Sequence, residues 1–378
     1  MELSARTVTI EPSRTAHFAA LAARMSAEGK KVVNLAIGEP HDPVSGRIIS
    51  ATCNALQAGH TRYAAAAGLE SLRAEIARTL PRHQAKNVIV TNGSKQALFS
   101  IFQVICNPGD EVIVPLPCWV SFPEQIKLAG GRPILVKTCR HQLDLAAIEK
   151  SVGPRTRAIL INSPNNPTGA VYPKHDLEAI AALACEKDLF VISDEAYARF
   201  VYDDRPFTSL TRFKNLQERV IVTGSFSKSY NMTGFRVGYA IGPAPVVKAM
   251  TSLQSHLAGN VCTFAQHGAL AALSASNDLN DGREARAYFQ KKRDRAYALA
   301  REWFDCIKPA GAFYLFPDIS RVLKQGQTAA GFATELLTST GVAVMPGEAF
   351  GAENHLRISF AVSDDDLIKG FEGIGKLL

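Results

Sequence analysis

Paired cysteines are missing from this sequence. Its seven cysteines lie scattered between Cys53 and Cys306, odd in number, with no C-x-x-C spacing. That argues against a disulfide framework and against a metal site, and it predicts a reducing, cytoplasmic setting. Long apolar runs are missing too. None reaches the roughly 20 residues that a membrane span needs. The opening residues, Met1 to Arg6, lack the apolar centre of a secretory leader. There is no internal repeat and no low-complexity tract. Charge of one sign is not concentrated either. The formal net charge is +7, but the lysines and arginines are dispersed. The densest cluster is Lys291-Lys292-Arg293 with Arg295, in a polar, helical-looking segment. It predicts a solvated helix face, not a nucleic-acid surface.

What the chain does have is apolar bulk. Hydrophobic residues make up 47% and charged residues 20% of 378, as expected for a soluble globular protein with a large core. That length allows about two or three domains. Phe18, Leu21 and Met25 recur at helical spacing and predict an amphipathic helix over 14–30. A strand over 32–37 follows, ending at Gly38-Glu39-Pro40. Helices are expected over 48–58 and 69–80, the second stopped by Pro81. From Val88 the pattern alternates. Apolar strands are predicted over 88–90, 111–114, 134–136, 158–161, 189–192, 220–222 and 239–241. Helices, among them 96–105, 145–150 and 174–187, separate many of them. Strands that are apolar throughout and separated by helices signal a mainly parallel sheet buried on both faces. Ligands bind such sheets beyond the carboxyl ends of the strands. After about residue 275 the composition shifts. A polar stretch over 277–286 leads into a long helix, then short strands over 312–315, 342–344 and 356–360, then a helix carrying Leu367, Phe371 and Ile374. This predicts a second, α+β unit, with which the N-terminal segment can also pack.

The polar residues at the strand ends carry the chemistry. Lys228 follows the strand 220–222 among small hydroxyl residues, with Arg236 eight residues on. An amine held there can form a Schiff base with a carbonyl cofactor. Ser225, Ser227 and Arg236 can hold a phosphate dianion; an ordinary surface turn is the alternative. Gly93-Ser94-Lys95 links a strand to a helix start, where backbone N–H groups suit a phosphate. Trp119, between Pro117 and Pro123, can stack on a flat heteroaromatic ring or simply fill core. Asn165 and Asn166 close an apolar strand, and their amides need partners. Asn166 can donate to a phenolic oxygen or a carboxylate, or the turn can cap the next helix. Asp194 ends another buried strand and needs a positive partner such as a protonated pyridine, unless it is a helix N-cap. Tyr197 can reach the same ring. Arg357 lies inside an apolar strand and must pair with an anion, either a substrate carboxylate or a protein one.

In chain order, Gly-Glu-Pro, Ser-Pro-Asn-Asn-Pro-Thr-Gly, Ser-Asp-Glu-x-Tyr, Ser-x-Ser-Lys-x-x-x-Met-Thr-Gly-x-Arg-x-Gly and Leu-Arg-Ile-Ser span nearly the whole chain. Together they resemble the class I/II aminotransferases of fold type I, in the branch of the prokaryotic-type aspartate aminotransferases. The resemblance implies an α/β fold: a large domain over 42–275 with a mainly parallel seven-stranded sheet between helices, and a small α+β domain from 1–41 and 276–378. It implies pyridoxal 5'-phosphate bound to Lys228 as a Schiff base, and a ping-pong exchange between an L-amino acid and a 2-oxo acid. Lys228 would also move the Cα proton. Asp194 would keep the pyridine nitrogen protonated. Tyr197 and Asn166 would bond the phenolic oxygen, and Trp119 would stack on the ring. Ser94, Lys95, Ser225 and Arg236 would bind the phosphate. Arg357, Asn166 and the Gly38 backbone would hold the substrate carboxylate. Tyr63 would reach the phosphate of a neighbouring subunit, which implies a homodimer with shared active sites.

On the same resemblance, Lys95 favours an acidic donor, aspartate or glutamate. Two stretches depart from the pattern: the segment over 255–262 lacks the usual serines and threonines, and Ala64-Ala65-Ala66-Ala67 replaces a proline-containing run. An aromatic donor stays open. So does a β-eliminating lyase on the same fold. A non-catalytic regulatory relative is a further alternative, against which intact Lys228, Asp194 and Arg357 count.

Overall fold

The structure, a computed structural model, describes residues 10, 14–80, 82–275 and 281–378. The leader argument at Met1 to Arg6, the Pro81 stop and the polar stretch over 277–280 lie outside those residues.

Seven strands build the large sheet: β1 (Val88–Thr91), β2 (Glu111–Leu116), β3 (Arg132–Lys137), β4 (Thr156–Asn162), β5 (Phe190–Asp194), β6 (Val220–Ser225) and β7 (Gly238–Ile241). Their spatial order is β1-β7-β6-β5-β4-β2-β3. Only β7 runs against the others. The central strands are buried along most of their length because helices cover both faces, as their unbroken apolar runs predict. β3 is an edge strand and leaves Arg132, Leu135 and Lys137 exposed. Register brings the carboxyl ends together. Asn162 of β4 lies beside Asp194 of β5, which lies beside Thr223 of β6. Because β7 is reversed, its first residue, Gly238, sits opposite both Ser225 and Thr91. Arg236, just ahead of β7, therefore reaches the same edge as the strand ends.

Beyond this sheet, Val33–Asn34 pairs in parallel with Val342–Ala343. Met345–Pro346, Leu356–Ser359 and Tyr314–Leu315 form an antiparallel trio. Phe18, Met25 and Leu35 share one core with Phe332, Leu336, Phe371 and Ile374. Residues 18–35 thus pack with the C-terminal third. Tyr197, Phe200 and Tyr202 from the stretch after β5 enter that core as well.

Several predicted strands are shorter than expected. The strand over 32–37 holds only Val33–Asn34. Leu35 still exchanges backbone hydrogen bonds with Ala343 and Ser359. The chain then leaves the sheet, and Ala36 to Gly38 become a wall of the site described below. The strand over 312–315 keeps Tyr314–Leu315, and 342–344 gives way to two short pairs. The helix expected to begin at Gln96 starts at Ser94.

The basic cluster corrects a second expectation. Lys291 and Arg295 are exposed, but Lys292 and Arg293 are buried. The helix Asp281–Arg301 turns Arg293 inward, where its guanidinium grips the Asp203 carboxylate at 2.6 and 3.0 Å and donates to the Pro309 carbonyl at 2.8 Å. It also faces the Tyr202 ring. Lys292 donates to the Val362 carbonyl. A buried charge needs such partners, and composition alone does not reveal them.

Candidate active site

A cavity of about 550 Å³ opens at the carboxyl edge of the large sheet. Every site residue expected from the sequence lines it except Tyr63.

β5 delivers Asp194, which is buried. Its Oδ1 accepts from the Ala196 N–H at 3.2 Å and the Thr223 hydroxyl at 3.3 Å. It caps no helix, and no cation of the described chain sets its charge. Burial pushes the carboxyl up to about 6, against the pull of those two hydrogen bonds. The site holds an acid that lacks its counter-charge.

β6 runs into the single turn Phe226–Ser229, which carries Lys228. The Lys228 amine donates to the Gly38 carbonyl. Burial lowers it to about 8; Glu39 opposes this, and Arg357, Arg236 and Lys95 reinforce it. A desolvated amine of that kind is readily available as a nucleophile and a base.

Phosphate-type donors gather on one side. Ser94 and Lys95 open the twelve-residue helix Ser94–Ile105, whose first N–H groups lack intrahelical partners. Arg236 sits in the left-handed region, at φ +56°, and its guanidinium donates to the Thr233 carbonyl at 2.9 Å. It lies so close to Gly93 that a Cβ there would come within 2.7 Å of Nη2. Gly238 is equally constrained: a Cβ would meet the Ser94 nitrogen at 2.4 Å. Ser225 Oγ accepts from the Ser227 N–H at 3.1 Å. Trp119 packs edge-on against Phe122, with the Lys95 amine 4.9 Å from its ring centre. Burial, then Arg236, lowers the Lys95 amine.

Arg357 closes the other side. It is buried; Nη1 donates to Asn166 Oδ1 at 3.1 Å and Nη2 to the Ala36 carbonyl at 2.6 Å. Its Nε has no partner, and no carboxylate among the described residues pairs with it. The plane lies over the Tyr314 ring at 4.5 Å. An unneutralised buried guanidinium is costly unless an anion arrives. Of the two readings the sequence left open, the structure supplies no protein carboxylate.

Asn162 and Tyr314 were missed by sequence reasoning. Asn162 donates to the Asp194 carbonyl at 3.1 Å and accepts from the Asn166 N–H at 2.9 Å, joining two loops of the site. Its signal was a polar residue at the end of an apolar strand, the same signal that marked Asp194. Tyr314 exchanges a 2.8 Å hydrogen bond with Tyr197. In sequence it looks like core.

Tyr63 stands apart, 98% exposed. Its loop is tied down, since Thr263 donates to the Arg62 carbonyl at 3.1 Å.

Residues 30–374 match the pattern of the aminotransferase class I and II family. The chain belongs to that family. This aminotransferase is 40% identical to an aspartate aminotransferase of Streptomyces avermitilis, the match covering 100% of this chain and 96% of that one. It is 38% identical to an aspartate/prephenate aminotransferase of Thermus thermophilus, over 100% and 98% of the two chains. A solved structure of the Thermus thermophilus aspartate aminotransferase with maleate superposes with a TM-score of 0.94 at 37% identity, covering all of both chains. The enzyme is an aminotransferase of the pyridoxal-phosphate class, with fold type I. The cavity fits that cofactor. It offers a desolvated amine, a buried acid without a cation, and the bare backbone of Gly93, where a Cβ would run into the Arg236 guanidinium.

Proposed function

We propose that this aminotransferase moves the amino group of an acidic L-amino acid, aspartate or glutamate, to a 2-oxo acid. The exchange is ping-pong: the donor leaves as its 2-oxo acid before the acceptor enters. The observation that carries the amino-acid reading is Arg357, a buried guanidinium short of an anion, in the same cavity as Lys228 and Asp194; the preference for an acidic donor rests on Lys95.

Pyridoxal phosphate, when bound, supplies an aldehyde for the amino group and a ring that accepts the electron pair left at Cα. Lys228 Nζ would anchor the cofactor and, once displaced by the donor's amino group, would be the free amine placed to take the Cα proton. Asp194 would hold a proton on the ring nitrogen, the positive partner its buried carboxylate otherwise lacks. Tyr197 and Asn166 would bond the phenolic oxygen, and Trp119 would face the ring. Ser94, Lys95, Ser225, Ser227 and Arg236 would hold the phosphate. Arg357, Asn166 and Gly38 orient the α-carboxylate, so that one Cα–H points toward Lys228. Lys95, besides facing the phosphate, is the cation that would meet a distal carboxylate.

We further read residues 42–275 as the cofactor-binding domain and 1–41 with 276–378 as the small domain. Tyr63 is read as serving the site of a second subunit in a homodimer; its exposure on a tethered loop supports this. The setting is read as cytoplasmic. Among the described residues no helix is long and apolar enough to cross a membrane.

The test is a screen of aspartate, glutamate, phenylalanine and tyrosine as donors against 2-oxoglutarate, oxaloacetate and pyruvate. Acidic donors should give the highest kcat/KM. A preference for aromatic donors would overturn the substrate assignment. Release of pyruvate from a β-substituted amino acid without any acceptor would favour elimination.

A further inference from the structure

Tyr314 is 1% exposed, and its hydroxyl lies 2.8 Å from that of Tyr197. Its ring faces the Arg357 guanidinium at 4.5 Å. Its strand, Tyr314–Leu315, pairs with the strand that carries Arg357. On the other side its hydroxyl presses on the chain at Gly38, where a Cβ would come within 2.2 Å of it. Tyr314 therefore touches the carboxylate anchor and the tyrosine that faces the ring.

Burial pushes both phenols up, so both hydroxyls are protonated at neutral pH. Two protons then serve one short contact, and either oxygen can be the donor. If Tyr197 donated to Tyr314, it would have no proton left for the cavity. If Tyr314 donates, the Tyr197 proton is free to point at the phenolic oxygen, and hydrogen bonds in series strengthen one another.

We infer that Tyr314 is a positioning residue: it donates to Tyr197, aims the Tyr197 proton at the cofactor's phenolic oxygen, and links that oxygen to the substrate-carboxylate side of the site. The inference rests on the site reading above. The charged groups around the pair are Arg357 and Asp194, with Lys228 on the same cavity.

The test is a pH titration of the visible absorption band of the cofactor-loaded enzyme, in Tyr314→Phe, Tyr197→Phe and the double variant. Weakening a donor to an oxygen that becomes more negative as the chromophore loses its proton moves the midpoint up. Tyr197→Phe should shift it upward by about one pH unit or more, the loss of one hydrogen bond to a charged oxygen. Tyr314→Phe keeps both rings and should shift it in the same direction by a smaller amount, about 0.3 pH units. The double variant should match Tyr197→Phe alone, because Tyr314 acts through Tyr197. No shift in Tyr314→Phe beside a clear shift in Tyr197→Phe would overturn the inference and leave the site reading standing. So would additive shifts in the double variant. No shift in Tyr197→Phe would overturn both.

Discussion

Arg357 is the proposed anchor of the substrate carboxylate. Its two Nη groups are occupied by Asn166 and Ala36, and Nε waits. Arg357→Lys keeps the charge but loses the planar fork. We expect kcat/KM for the amino donor to fall ~30-fold, mainly through KM, since charge-assisted fork geometry cannot be rebuilt on an ammonium. Steady-state kinetics with the preferred donor checks this; an unchanged KM would remove Arg357 from the carboxylate. Asp194→Ala takes away the group proposed to hold the ring proton. Its kcat should drop on the order of 100-fold or more with the cofactor still bound. Residues of this kind were legible in the sequence because they are chemically out of place. A lysine, an aspartate and an arginine at or in buried strands have few ordinary explanations. Tyr314 was not legible, because a tyrosine between Phe313 and Leu315 looks like its neighbours, and only the third dimension reveals what its hydroxyl meets.

At the scale of elements, the residue just after β5, Glu195, is half-buried and carries a second perturbed carboxyl. Glu195 accepts from Ser193 at 3.0 Å, Ser209 at 2.9 Å and the Leu210 N–H at 3.3 Å. Burial nonetheless pushes it up to about 7 from its ordinary 4.5. An acid raised by folding binds more protons in the native state than in the unfolded one. Its stabilising contribution is therefore full below about 4.5 and is lost as pH rises through 7. Asp194 acts in the same sense between 3.8 and about 6. The cofactor-free enzyme should lose stability across this window, Glu195 accounting for on the order of 3 kcal/mol. Glu195→Gln should flatten the slope between pH 5 and 7, read from urea midpoints; an unaltered slope would exclude Glu195 as its source. The long apolar strands were legible because a run of such residues has one stable home, a covered sheet. Two-residue strands such as Val33–Asn34 and Met345–Pro346 have no period to read. The 281–301 helix misled for a related reason: Asp203, the partner of Arg293, lies 90 residues away in the chain.

For the whole molecule, one long-range pairing stands out. Val33–Asn34 pairs with Val342–Ala343, so a segment ahead of the large sheet is held by the last third of the chain. Tyr63 is almost fully exposed. If it completes a partner's phosphate site, the enzyme should sediment at twice its 40.8 kDa chain mass. Tyr63→Phe should weaken cofactor retention several-fold, by the loss of one charge-assisted hydrogen bond, without unfolding the subunit. A monomer with full activity would contradict the shared site. The central claim for the molecule is simpler still: its cofactor is carried on one lysine. Borohydride reduction of the cofactor-loaded enzyme, followed by peptide mass mapping, tests it most directly. The account predicts the added mass on the peptide containing Lys228 and on no other. A colourless protein with that peptide unmodified, or with the mass on a different lysine, would contradict it.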